Sequence, residues 1–431
     1  MKILFLIVLF FFKFSFGNAE NDILFYVNSA FKNNSNLNAE RENLKAVKQN
    51  INISRSEFLP SVSLSRTQTD TNSTNRKNQS GSFLTDTNLN TDTKSFSVDQ
   101  KIFQGFQGYN SLKKSKLEVE KARLRLKNQE QNTILNTVNV YYDLILKNKN
   151  KNFNLLNVDL FERQVEFDKV RLQKGEINLT DLAQSESSLA GANAKLISAK
   201  TELLNSTVQF ERITSKKPSE KLNEDYNLNI SLPNNLNLAL KLAETQSPEF
   251  LIAKIEALIA EKELDIEKAN FSPTASINYS KSENKDLSST IDENDQEIVK
   301  ATIKWPLIKG GKNISSIKKS KHKKLKSDLL LKVKKSEVKT SVINSWSLHQ
   351  SAQSILAATA AQLKAAEIAN EGISLEYDSG NTRTTLEVIQ SRTLLLEARI
   401  AHAKSEKDFI ISKFKILDQV GKLSLDTFKN L

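Results

Sequence analysis

Between Ser61 and Ser65 apolar and polar side chains alternate, with Val62 and Leu64 against Ser61, Ser63 and Ser65. The alternation returns at Phe96, Val98, Gln100 and Ile102 against Ser97, Asp99 and Lys101. A period of two is that of a strand with one apolar face. Two later stretches repeat it: Ala275, Ile277 and Tyr279, then Val299, Ala301, Ile303 and Trp305 against Lys300, Thr302 and Lys304. Elsewhere the period is helical. Leu325, Leu329 and Val333 fall four apart, and Leu394, Leu395, Ala398 and Ala401 line one stripe, which suits coiled-coil-like seams. From Ser111 to Gln173 there is neither Pro nor Gly. A helix over that span extends roughly 95 Å at about 1.5 Å per residue.

The pattern is written twice. Phe58-Leu59-Pro60-Ser61-Val62-Ser63-Leu64 recurs 213 residues later as Phe271-Ser272-Pro273-Thr274-Ala275-Ser276-Ile277. Ile102-Phe103-Gln104-Gly105, followed by Lys113-Lys114-Ser115-Lys116, recurs 205 residues later as Leu307-Ile308-Lys309-Gly310, followed by Lys318-Lys319-Ser320-Lys321. Lys174-Gly175 matches Ser379-Gly380 at the same 205-residue spacing. Such a period marks an internal duplication.

The predicted first repeat covers 20–215. It holds a helix from Leu37 to Glu57 that stops before Pro60, a strand at 61–69, a polar loop at 70–94, a strand at 95–104, and helices at 111–173 and 179–213. A linker at 216–235 leads to the second repeat, 236–421. This holds helices at 236–245 and 249–269, a strand at 273–281, a loop at 282–296, a strand at 297–306, and helices at 315–377 and 384–420. A tail at 422–431 follows. The expected fold class is mainly α with a small antiparallel β portion: duplicated helical hairpins forming an α-barrel tunnel, with four strands per chain.

Composition narrows the setting. Residues 1–19 pair Lys2 with an apolar run from Ile3 to Phe12 and end in Gly17-Asn18-Ala19, the layout of a secretory signal peptide. The apolar run is shorter than the ~20 residues a spanning helix needs. There is no Cys, hence no disulfide framework and no lipid-modified Cys. Any membrane passage would be made by strands, and four strands with open edges cannot close in hydrocarbon. Membrane barrels need at least ~8 strands, so oligomerisation is expected. Two chains give eight strands and three give twelve, and only the larger leaves an aqueous bore.

Together these residues resemble the TolC-type outer-membrane efflux and type I secretion channels. The duplicated Phe-x-Pro strand starts and the Gly105 and Gly310 strand exits carry the likeness. So do Tyr141-Tyr142-Asp143-Leu144, with its mate around Trp346, and the run from Glu376-Tyr377-Asp378-Ser379-Gly380 to Glu387-Val388-Ile389-Gln390. The resemblance spans essentially the whole chain after the signal. It implies a homotrimer with a 12-stranded transmembrane β-barrel in the Gram-negative outer membrane, contacting outer-membrane lipid, and a periplasmic helical tunnel. It implies two partners: a periplasmic adaptor (membrane fusion) protein, and an inner-membrane ABC or proton-driven transporter. Carried over by position, Arg383 and Tyr377 would pair with Asp181 to hold a gate, and Glu387 would sit in an acidic entrance ring. Gly175 and Gly380 would form the hairpin-tip turns that dock the adaptor. Gln390 stands where a second acid is often found, and Asn381 shifts the Arg383 register by one residue.

Other chemistry is thin. His322, His349 and His402 are isolated, and Gly310-Gly311-Lys312-Asn313 lacks the earlier Gly and the following Ser or Thr of a phosphate loop. No enzyme activity, cofactor or metal is expected. The net charge of +12 is dispersed, and nucleic acid is not an expected partner. Six lysines lie between Lys318 and Lys326. They fit a solvated face, contact with phosphate head groups, or a cationic belt in the tunnel. The rival from another class is a periplasmic coiled-coil adaptor or scaffold without its own pore.

Overall fold

The computed structural model describes residues 22–224, 228, 230–288, 290–379 and 383–428. The expected signal peptide lies outside them, as do Gly380 and Asn381. The elements in chain order are α1 (Asp22–Asn33), α2 (Ser35–Ser56), β1 (Ser61–Ser73), β2 (Thr87–Phe103), α3 (Gln107–Gln173) and α4 (Leu179–Thr214). The second half follows with α5 (Leu236–Gln246), α6 (Pro248–Ala269), β3 (Thr274–Ser288), β4 (Ile291–Lys304), α7 (Lys312–Asp378) and α8 (Thr385–Gln419), then a 3₁₀ turn at Leu425–Phe428. The chain is mainly helical, and α3 and α7 are each 67 residues long.

The chain divides into two units. One contains the sheet, α6, most of α2 and the N-terminal parts of α3 and α7. Its four strands form a single antiparallel sheet in the order β1-β2-β3-β4, so that the β2–β3 pairing joins the two repeats and β1 and β4 are edges. Its helices are tied by side chains that the sequence spaces along their facing sides. The hydroxyls of Ser54 and Ser115 hydrogen-bond at 2.7 Å, and Lys114 pairs with Glu263 at 2.8 Å. Gly105 takes φ +59°, and a Cβ there would stand 2.2 Å from that of Ser272, so the strand exit needs glycine both for its backbone and for space.

The strands are longer than the alternation predicts. The expected loop at 70–94 contracts, because β1 runs to Ser73 and β2 starts at Thr87; the loop at 282–296 contracts to the turn between Ser288 and Ile291. Polar residues on both faces hide the period while still pairing across strands. Arg66 donates to both carboxylate oxygens of Asp92, at 2.9 and 3.0 Å. Gln68 donates to Asn90 at 3.0 Å, and Lys285 pairs with Glu293 at 3.1 Å. Cross-strand pairs of this kind hold a ladder together without apolar alternation.

The other unit contains α1, α4, α5, α8 and the C-terminal parts of α3 and α7. Its core gathers Tyr26 and Val27 of α1, Ile134, Val138, Tyr141 and Tyr142 of α3, Phe210 of α4, and Ile410 and Phe414 of α8. Helix α1 has no counterpart in the sequence prediction, although Ile23, Tyr26, Val27 and Ala30 are buried at helical spacing. The stretch predicted as a linker packs on this core through Leu222, Leu228, Ile230 and Leu232. In the predicted tail, Phe428 is buried and stacks on Phe414 with ring centroids 5.5 Å apart. Polar composition concealed the linker and the tail, which each give only a few apolar side chains to a core built by other elements, whereas α1 carries its own apolar stripe.

Candidate functional site

The first hairpin turns where α3 runs out. Gly175 takes φ +75°, its N–H donates to the Leu172 carbonyl at 3.0 Å, and the Glu176 N–H donates to the Arg171 carbonyl at 2.9 Å. These are the paired bonds of a left-handed glycine cap. Helix α4 then starts at a capping box. The Asp181 N–H donates to the Asn178 side chain at 3.0 Å, and the Asn178 N–H donates to the Asp181 carboxylate at 3.2 Å.

Beside this turn α3, α4, α7 and α8 converge on a buried carboxylate. Asp168 accepts the hydroxyl of Tyr377 at 2.5 Å, the hydroxyl of Ser185 at 2.5 Å and the side-chain amide of Gln164 at 3.0 Å. Asp168 and Ser185 are fully buried and Tyr377 nearly so. The Tyr377 oxygen also lies 3.0 Å from the Thr385 hydroxyl. The Arg171 guanidinium lies over the Tyr377 ring, 4.9 Å from its centroid, and pairs with Glu176 of the turn at 3.2 Å. Burial first, and then the bond to Asp168, raises the Tyr377 hydroxyl above the ordinary phenol range. A carboxylate taken out of water must find donors for its lone pairs, and here it finds one on its own helix, Gln164, and two on other helices, Ser185 of α4 and Tyr377 of α7.

The second hairpin is held at its own turn. Arg383 pairs with Glu376 at 2.6 Å and with Glu387 at 3.0 Å. Glu387 completes the capping box of α8, accepting the Thr384 N–H at 2.8 Å. That backbone bond first, and then Arg383, lowers the Glu387 carboxyl below its usual range. Gln390 is exposed one turn further on. Within one chain the structure does not bring Asp181 to Arg383 or Tyr377; Tyr377 engages Asp168, and Asp181 caps its own helix. Sequence reasoning missed Asp168. Its signal was present, since Val158, Phe161, Val165 and Asp168 repeat at spacings of three, four and three and the first three are buried, which puts an acid in an apolar seam.

The sheet has two unlike faces. Across all four strands Val62, Val98, Tyr279 and Val299 are aligned in one row, and Gln100, Ile277 and Ala301 lie beside them. Val299 and Ile303 are 74% and 80% exposed, so none of the described residues covers this part of the face. The other face carries hydroxyls and amides, with Ser63 bonded to Ser97 and Ser65 to Ser95, both at 2.7 Å. Further along the first face apolar residues give way to Arg66, Lys94, Glu283 and Asp295 in one row. The apolar band is therefore limited to the part of the strands nearest the helices. At the start of α7, Lys318, Lys319, Lys321, Lys323 and Lys326 are exposed, while Lys324 lies 3.6 Å from Asp328.

A sheet with an exposed apolar band, continued by two 67-residue helices, is the arrangement expected of an outer-membrane protein. The outer membrane efflux protein family matches residues 26–215 and 239–416, and the chain belongs to that family. It is a protein of the Gram-negative outer membrane with a periplasmic helical part. It is 25% identical over 398 residues to the outer membrane efflux protein BepC of Brucella suis, covering 92% of this chain and 84% of that protein. To the outer membrane protein TolC of Escherichia coli it is 22% identical over 424 residues, covering 95% and 84%. Among solved structures, the Campylobacter jejuni CmeC outer membrane channel superposes with a TM-score of 0.83 at 14% identity, over 95% of this chain and 90% of that one. The outer membrane protein VceC of Vibrio cholerae gives 0.78 at 15% identity, over 93% and 96%. At those identities the likeness is one of fold.

Proposed function

We propose that the protein is the exit duct of a tripartite efflux or type I secretion system, a passive conduit and not an enzyme. Three copies close a 12-stranded barrel, and the hairpin turns meet a periplasmic adaptor and an inner-membrane ABC or proton-driven transporter. The observation that carries this reading is the uncovered apolar band on a sheet whose edges, β1 and β4, are open. Open edges in hydrocarbon leave backbone groups unpaired at several kcal/mol each, which closure with other copies removes. A pore-free adaptor has no use for such a band.

In this reading the turns near Gly175 and Gly380 are the docking end. Asp181 and Arg383, which do not meet within one chain, pair between neighbouring subunits, while Glu387 and Gln390 line the entrance. Crosslinkers placed at Glu176 and Ser379 test the docking. Recovery of an adaptor carrying a coiled-coil hairpin, together with its transporter, is the expected result; crosslinks confined to copies of this chain contradict it.

A further inference from the structure

We propose that Lys101, Lys300 and Lys304 form an anion-selecting girdle inside the barrel, a reading that rests on the closed pore proposed above. The strand register fixes their common face. Ser61, Asp99, Asn278 and Lys300 form one row, Lys101, Ser276 and Thr302 the next, and Thr274 and Lys304 the one after. Side chains two apart share a face, so these lysines lie on the side of Ser63, Ser97 and Ser280, opposite Val62, Val98, Tyr279 and Val299. With the apolar face toward lipid, the lysines face the bore, at the depth of the apolar band.

All three are exposed, and among the described residues none has a carboxylate within ion-pair distance. The one acid in these rows, Asp99, already accepts a hydrogen bond from the Asn278 side chain at 2.8 Å. Further along the same face the rows Ser63, Ser97, Ser280, Ile298 and Ser65, Ser95, Ser282, Gln296 carry no charge. Each chain thus places three cations against one anion in a narrow zone whose next two rows are neutral, and three chains would place nine against three. A low-dielectric wall focuses the field of such a ring into the water it encloses. Rings of Lys or Arg select anions in pores. The chemical class favoured is therefore the anion: chloride among small ions, and carboxylate- or phosphate-bearing cargo.

The test is the reversal potential of the purified full-length protein in planar bilayers under a potassium chloride gradient at low salt, where screening is weakest. The wild type is expected to favour chloride. The Lys101→Gln, Lys300→Gln, Lys304→Gln triple variant should shift toward potassium, and Lys300→Gln alone should shift part of the way. Lys318→Gln with Lys319→Gln, outside the strands, should leave the potential in place. A conducting triple variant with an unshifted reversal potential overturns the girdle alone. Absence of any conductance from a folded wild-type assembly overturns the pore reading, and the girdle with it.

Discussion

The hydroxyl of Tyr377 reaches across 209 residues of sequence to donate a hydrogen bond to the buried carboxylate of Asp168. Because Tyr377 ends α7 and Asp168 nears the end of α3, this bond fastens the two hairpins of one chain at their turns. Tyr377→Phe leaves Asp168 with Ser185 and Gln164, at an expected cost of about 1 to 3 kcal/mol. Asp168→Asn should cost more, since the amide introduces a donor among groups that already donate. Both variants should raise single-channel conductance in planar bilayers. Conductance equal to wild type in both would separate this bond from gating.

Asp181 and Arg383 make a different prediction, because the described residues that hold each of them belong to its own turn. If they pair between subunits, Asp181→Ala or Arg383→Ser removes a partly exposed ion pair, at about 1 kcal/mol or less for each pair. Conductance should rise with either substitution and should not rise further in the double variant. Additive increases would show that the two residues act separately.

Gly421 closes the end of α8 with φ +76°, and a Cβ there would stand 2.2 Å from the Gln246 carbonyl oxygen. Gly421→Ala combines left-handed strain with a backbone clash, and should destabilise the chain by at least about 2 kcal/mol. A lowered thermal midpoint with the same assembly checks this. Gly175→Ala should cost less, about 1 to 2 kcal/mol, because its Cβ would meet nothing within 4 Å and only the strain remains.

The capping box at the start of α8 is pH-dependent. The Glu387 carboxyl is held below its ordinary value by the Thr384 N–H and by Arg383. Its stabilisation is therefore complete above the unfolded glutamate range, near pH ~4.3, and is lost as pH falls through the depressed value. Hydrogen exchange at Leu386 to Val388, corrected for intrinsic rates, should accelerate as pH falls below the ordinary glutamate range, and Glu387→Gln should abolish that step.

Much of this was legible in the sequence. The duplication, the four strands and the long helices follow from alternation at Val62 to Leu64 and Val299 to Trp305, from helical stripes, and from Pro and Gly placement. Strand length was not legible, because Arg66, Asp92, Lys285 and Glu293 stabilise pairing by charge rather than by apolar burial. The turns were legible at Gly175, where left-handed backbone demands glycine. The partner of Tyr377 was not: sequence position favoured Asp181, three residues into α4. The structure uses Asp168, one α3 turn inward, where Phe161 and Val165 exclude water.

We propose that three chains close one barrel in the outer membrane. The direct measurement is the mass of the detergent-extracted assembly from isolated outer membranes, by light scattering corrected for bound detergent, with and without heating. A heat-sensitive trimer that conducts after reconstitution is the predicted result. A monomer recovered in the soluble periplasmic fraction would contradict the account.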